Sequence, residues 1–342
     1  MSLAFRKLSQ DAAAMEDTYA DVMKTTGLTR EEVGDLNDEL KKMDTRTARE
    51  QLNLLARDAG KLGMSTKKDI LDFVEAGNII NVALGEDLGE DAIKQIGKMS
   101  NVFQTATKEI ADQDLKGRML SIGSAVNEVA QSSSASEPYL VAFAGRLGGV
   151  AAQAGIGIDK ILGFASALDQ DMQAVEMSAT ALQKLIIKIM SSPAEFAAIA
   201  NMEVGKFTNL LQTDANEAIK TVLRSLTEKG GFQQLSPIFQ EMGLDGARAV
   251  GVLSSMANGI DRIDEAQSIA NKSMIEATSV LDEYNIKNEN AQAQLEKRKK
   301  QFQDAAEELG NRLNPALLKS TSYFTYLVKA MPAVYMAYAD AK

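Results

Sequence analysis

Helix-forming residues run through almost the whole chain, and this restricts the fold to a small set of architectures. Ala, Leu, Met, Gln, Glu and Lys dominate most segments, and these residues lose little side-chain freedom in a helix. No stretch shows the alternation of apolar and polar β-branched residues that marks a strand. The sequence therefore predicts an all-α fold with about fourteen helices joined by short connections.

Several helix boundaries are marked by capping residues. Thr29 and Glu32 have the spacing of a capping box, in which hydroxyl and carboxylate satisfy unpaired amides at the start of a helix. Pro193 stands where a first helical residue is expected, and there its missing N–H removes no hydrogen bond. Gly27 and Gly60 are predicted to end helices, because glycine readily adopts the left-handed backbone of a helix C-terminus.

A weak internal repeat predicts that the helices are arranged as hairpins. Residues 59–66 and 154–159 share an order of small residue, apolar residue and helix start, and looser copies occur at 200–204 and 242–246. The last three copies are roughly forty residues apart, a spacing typical of stacked helical hairpins. The alternative is that the chain merely reuses a turn common to helical proteins.

The residue pattern of the sequence changes after Gly259. From Ile260 to Leu309 there is neither glycine nor proline, which is enough for one helix of about 75 Å. Residues at intervals of seven within this stretch are Leu281, Asn288, Leu295, Phe302 and Leu309. They predict a partial coiled-coil seam for helix association, with the polar Asn288 setting the register. Such a helix needs a partner, either another copy or the remainder of a longer polypeptide.

These differences in residue pattern divide the sequence into three predicted segments. Residues 1–44 form a helical lead-in, residues 45–259 a compact multi-helix core, and residues 260–342 the long helix followed by an apolar C-terminal helix. The whole is expected to consist of stacked helical hairpins followed by a long helix with a partial coiled-coil seam.

The residue types available exclude most enzyme chemistry. The chain has no His, no Cys and no Trp, so it has no Ser–His or Cys–His nucleophile, no imidazole or thiolate zinc site and no disulfide. Gly97 lacks the spacing of a phosphate loop, and a calcium-loop resemblance at Asp112 has Gly123 where a bidentate glutamate is needed. A hydrolytic carboxylate pair at Glu86 and Asp87 is a remote alternative. We predict no enzymatic activity, no cofactor and no metal.

The charge balance argues against stable nucleic-acid binding. Lys and Arg number 37 against 47 Asp and Glu, a net charge of −10, whereas affinity for phosphates comes from clustered cations. A basic run at residues 297–300 is predicted to be a solvated helix face, because it has no aromatic interleaving and acidic residues follow it.

Two apolar stretches bear on membranes. Tyr139 to Ile158 carries only Arg146 as a charged residue but is diluted with Gly and Ala, which favours a buried, closely packed helix over a membrane span. The stretch Pro315 to Ala339 is apolar and rich in tyrosine. It is expected to be a helix packed on the body, with membrane contact as the alternative. The first ten residues lack the apolar region of a signal peptide.

Eight short segments, in order, carry a resemblance to a known family. They are NVALGEDLG at 81–89, GSAVN at 123–127, SASEP at 134–138, LDQ at 168–170, VEMSATA at 175–181, MGLDGAR at 242–248, NKSMIE at 271–276 and EYNIKN at 283–288. Together they resemble the core region of the phage tail tape-measure protein family, in the version found in tailed phages and prophages of gut-type bacteria. The resemblance extends over residues 15 to 330.

The resemblance implies a structural role. Tape-measure proteins are mostly helical chains inside the tail tube, where their length sets the tube length, and they are released with the DNA at infection. The family has no catalytic residues in this region. The partners implied are other copies in a helical bundle, the tail tube, the tail-assembly chaperone and tail-tip proteins, and the locations are the virion tail lumen and, during assembly, the bacterial cytoplasm. Relatives are usually much longer, so this chain is expected to be a fragment. The alternative is a membrane-active helical protein that penetrates the cell envelope.

Overall fold

The computed structural model describes residues 3–88, 91–228, 237 and 247–305. Within these ranges the all-α prediction is confirmed, with sixteen α-helices, two short 3-10 helices and no strand. The α-helices are α1 (Leu3–Thr26), α2 (Arg30–Lys42), α3 (Arg49–Lys61), α4 (Lys67–Leu84), α5 (Ala92–Val102), α6 (Leu115–Gln131), α7 (Glu137–Gln153), α8 (Ile158–Gln170), α9 (Val175–Ser191), α10 (Pro193–Ile199), α11 (Val204–Thr213), α12 (Ala215–Thr227), α13 (Ala247–Asn258), α14 (Ile260–Glu276), α15 (Ser279–Glu289) and α16, described over 291–305.

The chain forms two compact units. The first unit combines the described residues up to Gly60 with those from Asn290 to 305, and the second consists of the described residues between Lys61 and Glu289. The first unit is therefore built from segments that are far apart in sequence. The sequence-based boundaries at residues 44 and 259 stay predictions.

The first unit contains a small core between α2 and α3. Leu36, Leu40 and Leu52 are fully buried there. Beside them the buried amides of Asn37 and Asn53 donate to each other's oxygen atoms at 3.0 and 2.7 Å. This reciprocal pair satisfies polar groups that would otherwise destabilise the core, and it fixes how the two helices face each other.

The prediction that Gly60 ends a helix is wrong. Helix α3 continues through Gly60 to Lys61, and a Cβ at Gly60 would lie 2.6 Å from the backbone carbonyl carbon of Thr25. Glycine is needed here because α1 approaches α3 closely, which sequence spacing cannot show. The positive φ follows later, at Gly63, whereas Gly27 has positive φ directly after α1, as predicted.

The second unit is organised around α6 and α8. Thirteen of the seventeen residues of α6 and ten of the thirteen of α8 are buried, and helices covered on all sides form the centre of a helical domain. Helices α4, α5, α7 and α14 pack around them. The largest fully buried side chains in this unit are Phe73, Phe103, Phe143, Phe164, Phe196 and Phe207.

Helices α14 and α15 return over the earlier helices of the second unit. Helix α14 packs on α6 and α8, and α15 packs on α4 and α6. A Cβ at Gly163 of α8 would lie 2.9 Å from the backbone oxygen of Ile263 and from the backbone nitrogen of Gln267. The second unit is thus closed by contacts between helices distant in sequence, which neighbour-to-neighbour stacking alone would not produce.

The repeated turn motif has a definite backbone geometry. After α7, Gly155 adopts φ +71°, and Ile156 donates its N–H to the carbonyl of Ala151 at 2.9 Å. After α10, Asn201 adopts φ +50°, and Met202 donates to Ala197 at 2.8 Å. Both are Schellman turns, in which a left-handed residue lets the chain satisfy the last carbonyls of a helix. The copy at 242–246 lies outside the described residues.

The prediction of one continuous helix from Ile260 to Leu309 is wrong within the described part. Helix α14 ends at Glu276, where Ala277 adopts a left-handed backbone with φ +52°. A second break separates α15 from α16 at Asn290. Neither break involves glycine or proline, so the absence of those residues did not guarantee continuity.

Candidate helix-association surface

The residues of the predicted seam lie on two different helices. Leu281 and Asn288 belong to α15 of the second unit, while Leu295 and Phe302 belong to α16 of the first. Leu309 lies outside the described residues. Asn288 is buried and Leu281 half-buried, whereas Leu295 and Phe302 are exposed. The structure therefore pairs Leu295 with Phe302 on one helix and does not place all the predicted residues along one straight seam.

Helix α16 begins at a break that has a local cause. The side-chain oxygen Oδ1 of Asn290 accepts the backbone N–H of Ala293 at 2.8 Å, so Asn290 is the N-cap of α16. Asparagine is among the preferred residues at an N-cap. Helix α15 begins in the same way, since the backbone oxygen of Thr278 accepts its first helical hydrogen bond, and threonine is also a preferred N-cap residue. These two residue types were the sequence signals for the breaks.

The inward face of α16 is charged and is held by ion pairs. Glu296 accepts from the Arg46 guanidinium at 2.6 Å, and the Lys297 ammonium lies 2.7 Å from Asp44. Two turns further on, Asp304 lies 3.3 Å from the nearly buried Arg49. The hydrogen bond from Arg46 lowers the pKa of Glu296. These contacts attach α16 to the segment between α2 and α3 and to the first residue of α3.

Lys300 strengthens this attachment by capping a neighbouring helix. It is only 5% exposed, and its ammonium donates to the carbonyls of Met43 at 3.0 Å and Leu40 at 3.4 Å. These carbonyls lie at the C-terminus of α2, where a cation interacts favourably with the helix dipole. Burial lowers the pKa of Lys300. The predicted solvated face at 297–300 is therefore wrong for Lys297 and Lys300, which point into the unit.

The outward face of α16 is apolar with two cations between the apolar residues. Leu295 and Phe302 are 62% and 75% exposed. Seven residues separate them, so they lie on the same side of the helix about 10 Å apart. Arg298 and Lys299 lie between them and are exposed, and neither forms an ion pair with a residue that the structure describes. This face, formed by Leu295, Arg298, Lys299 and Phe302, is called the α16 outer face below.

The structure does not test the carboxylates considered for hydrolysis. The side chains of Glu86 and Asp87 lie outside the described set, and the nearby Asp91 is ion-paired with Lys94. The hydrogen bond from Lys94 lowers the pKa of Asp91. Across the described ranges, no three carboxylates are grouped so that they could hold a metal ion.

The stretch from Tyr139 to Ile158 contains a helix packed within the second unit and does not form one continuous apolar helix. Most of it is α7, which buries Leu140, Phe143 and Leu147 and ends before the turn at Gly155. Among the helices that the structure describes, none is long and apolar enough to cross a membrane. The apolar stretch from Pro315 to Ala339 lies outside the described residues.

Comparison with known proteins gives a match to a family model. The family model for the phage-related minor tail protein matches residues 37–229, which is more than half of the chain. The chain belongs to this family. No curated protein and no solved structure matches it.

Membership of this family makes the chain a tail component of a phage particle with a structural role. The matched residues begin within α2 and end two residues after the last residue of α12. They include most of the helices that build the second unit. The α16 outer face lies beyond the matched residues.

Proposed function

We propose that this chain is a section of a tape-measure protein, which sets the length of a phage tail and leaves the particle with the DNA. Membership of the minor tail protein family carries this proposal, and the ordered resemblance of eight segments to the tape-measure core refines it. The role requires shape and extent rather than a reacting group. Helices are suited to it because each residue adds a fixed rise of about 1.5 Å.

The charge of the chain agrees with this role. DNA passes through the space that a tape-measure protein occupies, and a net charge of −10 repels the phosphate backbone. Among the described residues, cations such as Lys220, Arg224 and Arg262 form ion pairs with carboxylates of the same unit. We expect no stable nucleic-acid complex.

The proposed partners are those of a protein inside a tail. They are the tail tube, the tail-assembly chaperone, tail-tip proteins and further copies of the chain. The proposed locations are the tail lumen of the virion and the bacterial cytoplasm during assembly.

The proposal is tested by following the protein through infection. Peptides from Lys61–Glu289 are quantified by mass spectrometry in purified particles before and after DNA release is triggered, with a tail-tube protein as the internal standard. We expect these peptides in intact particles and a loss of most of them after release, while the tube protein is retained. Equal amounts before and after release would show a permanent tail component and contradict the release step.

A further inference from the structure

The charges of α16 are sorted between its two sides. Its described carboxylates, Glu296 and Asp304, face inward and are bound by Arg46 and Arg49. The outer face keeps cations only. On a chain of net charge −10, a face with exposed apolar residues and two cations that form no ion pair with a described residue has the features of an interaction site.

The spacing on this face fits another helix. Leu295 and Phe302 stand one heptad apart, and Arg298 occupies the position between them where the seam of a coiled coil passes. Ala291 and Ala305 are exposed on the same side and are small enough to admit a neighbouring backbone. The face therefore offers two apolar side chains with a guanidinium at the centre of the contact line.

The face is not complementary to itself. In a parallel pair of copies, Arg298 of one copy would face Arg298 of the other. In an antiparallel pair centred between Leu295 and Phe302, Arg298 would face Lys299. Both orientations place like charges at the centre of the contact, which disfavours association. A partner with a carboxylate at that position would convert the repulsion into an ion pair.

The face is also held in place before any partner arrives. The ion pairs of Glu296, Lys297 and Asp304 and the hydrogen bonds of Lys300 fix α16 from its inner side. A preorganised helix loses little conformational freedom on binding, so more of the contact energy appears as affinity.

We propose that the α16 outer face docks an acidic amphipathic helix of a different protein. The partner helix carries apolar residues one heptad apart, which contact Leu295 and Phe302, with Asp or Glu between them opposite Arg298 and Lys299. This interaction does not depend on the tape-measure role. Its affinity falls as salt rises, because the cations are exposed to solvent.

The test uses the full chain and a synthetic probe. A fluorescent helical peptide of about three heptads carries Leu at the seam positions and Glu beside them. A matched peptide has every Glu replaced by Lys. Fluorescence anisotropy at low ionic strength is expected to show binding of the Glu peptide at least roughly tenfold tighter than that of the Lys peptide.

Two double variants distinguish specific binding at the α16 outer face from non-specific apolar adsorption of the peptide. Replacing Leu295→Gln and Phe302→Gln together is expected to weaken binding of the Glu peptide by about tenfold or more. The matched control is Ile275→Gln with Ile286→Gln, which alters two apolar residues on α14 and α15 of similar exposure, and it is expected to leave binding unchanged. Circular dichroism confirms that each variant keeps its helix content.

A charge reversal gives the sharpest outcome. Arg298→Glu with Lys299→Glu is expected to invert the preference, so that the Lys peptide binds more tightly than the Glu peptide. Equal binding of the two peptides to the unaltered chain, or no inversion in this variant, would overturn the proposal. So would a doubled mass in sedimentation that is lost in the Leu295 and Phe302 variant, since the occupant would then be a second copy. Binding to phosphatidylglycerol vesicles that requires Leu295 and Phe302 would likewise replace the protein partner with a membrane.

Discussion

At the scale of single residues, the surroundings of a helical glycine decide whether its replacement by alanine stabilises or destabilises the fold. Gly163 in α8 is closed in by the backbone of α14, and a Cβ would lie 2.9 Å from the Ile263 oxygen. Gly149 in α7 has no atom within 4 Å of the same position. Two glycines in helices thus have opposite expected responses to the same substitution.

The first prediction compares alanine at these two positions. Gly163→Ala is expected to lower the free energy of unfolding by about 1–3 kcal/mol, because a backbone cannot yield as a flexible side chain can. Gly149→Ala is expected to raise it by about 0.5–1 kcal/mol through its greater helix propensity. Urea unfolding followed by circular dichroism measures both. Stabilisation by Gly163→Ala would mean that α14 does not pack closely on α8.

The second prediction concerns Lys300. Lys300→Met keeps the length of the side chain but removes the hydrogen bonds from Lys300 to the carbonyls of Leu40 and Met43, of which Met43 still accepts the N–H of Thr45. It is expected to cost about 1–3 kcal/mol. Lys299→Met, one residue away on the exposed side, is the control and is expected to change stability by no more than about 0.5 kcal/mol. Thermal unfolding distinguishes them. Equal midpoints would show that the inward placement of Lys300 is wrong.

At the scale of elements, a cluster of charges attaches α14 to α12. Asp264 of α14 accepts from Lys220 at 2.5 Å and from Arg224 at 2.8 Å, and both cations also pair with Glu217 of α12. Burial raises the pKa of Asp264, but the hydrogen bonds from Lys220 and Arg224 outweigh it, so the pKa lies below its usual 3.8. The same balance lowers the pKa of Glu217. These carboxylates hold their charge more strongly in the folded state than in the unfolded chain.

The third prediction follows from this cluster. A lowered carboxyl pKa gives stability that is present above the unfolded pKa and is lost as the pH falls through the folded pKa. Asp264→Asn is therefore expected to cost about 1 kcal/mol at neutral pH, a value reduced by partial exposure to solvent. It should also make the loss of stability below about pH 4 shallower. Unfolding at a series of pH values measures both.

The control for this prediction lies on the same helix. Glu265 is exposed and forms no ion pair with a described residue, so Glu265→Gln should leave the pH profile of the unaltered chain in place. If Asp264→Asn and Glu265→Gln gave the same profile, the cluster would not link α12 with α14 in solution.

Elements governed by their own residues could be predicted from the sequence. The capping box of α2 forms as expected, with the Thr29 N–H donating to Glu32 at 2.7 Å and the Glu32 N–H donating to the Thr29 hydroxyl at 3.3 Å. Pro193 likewise begins α10. These features depend on residues within one turn of each other, so the local sequence contains all the information needed.

Features set by distant residues could not be predicted in this way. Gly60 was predicted to end a helix, but glycine is needed there because Thr25 of another helix lies close to it, and the local sequence does not show that contact. Lys300 was assigned to solvent because the carbonyls that it binds are some 257 residues away in sequence. The candidate surface was predicted in part: Leu295 and Phe302 share a face, but the break at Ala277 and the cap at Asn290 remove the continuous seam.

At the scale of the whole molecule, the chain combines a net negative charge with two helical units. The fourth prediction is that it does not retain duplex DNA in a mobility-shift assay at about 0.15 M salt, because too few free cations are available to displace counterions. Retention that weakens steeply with salt would contradict this prediction. A parallel assay with Arg298→Glu and Lys299→Glu would show whether the α16 outer face is responsible.

The central claim is that this protein acts through its extent, and tail length measures that directly. Helical heptads are inserted at the exposed bend Asn290, between α15 and α16, in the phage that encodes the chain, and mean tail length is measured by electron microscopy. Ten inserted heptads are expected to lengthen the tail by about 105 Å, or 1.5 Å per residue. Tails of unchanged length in particles that contain the longer protein would contradict the account.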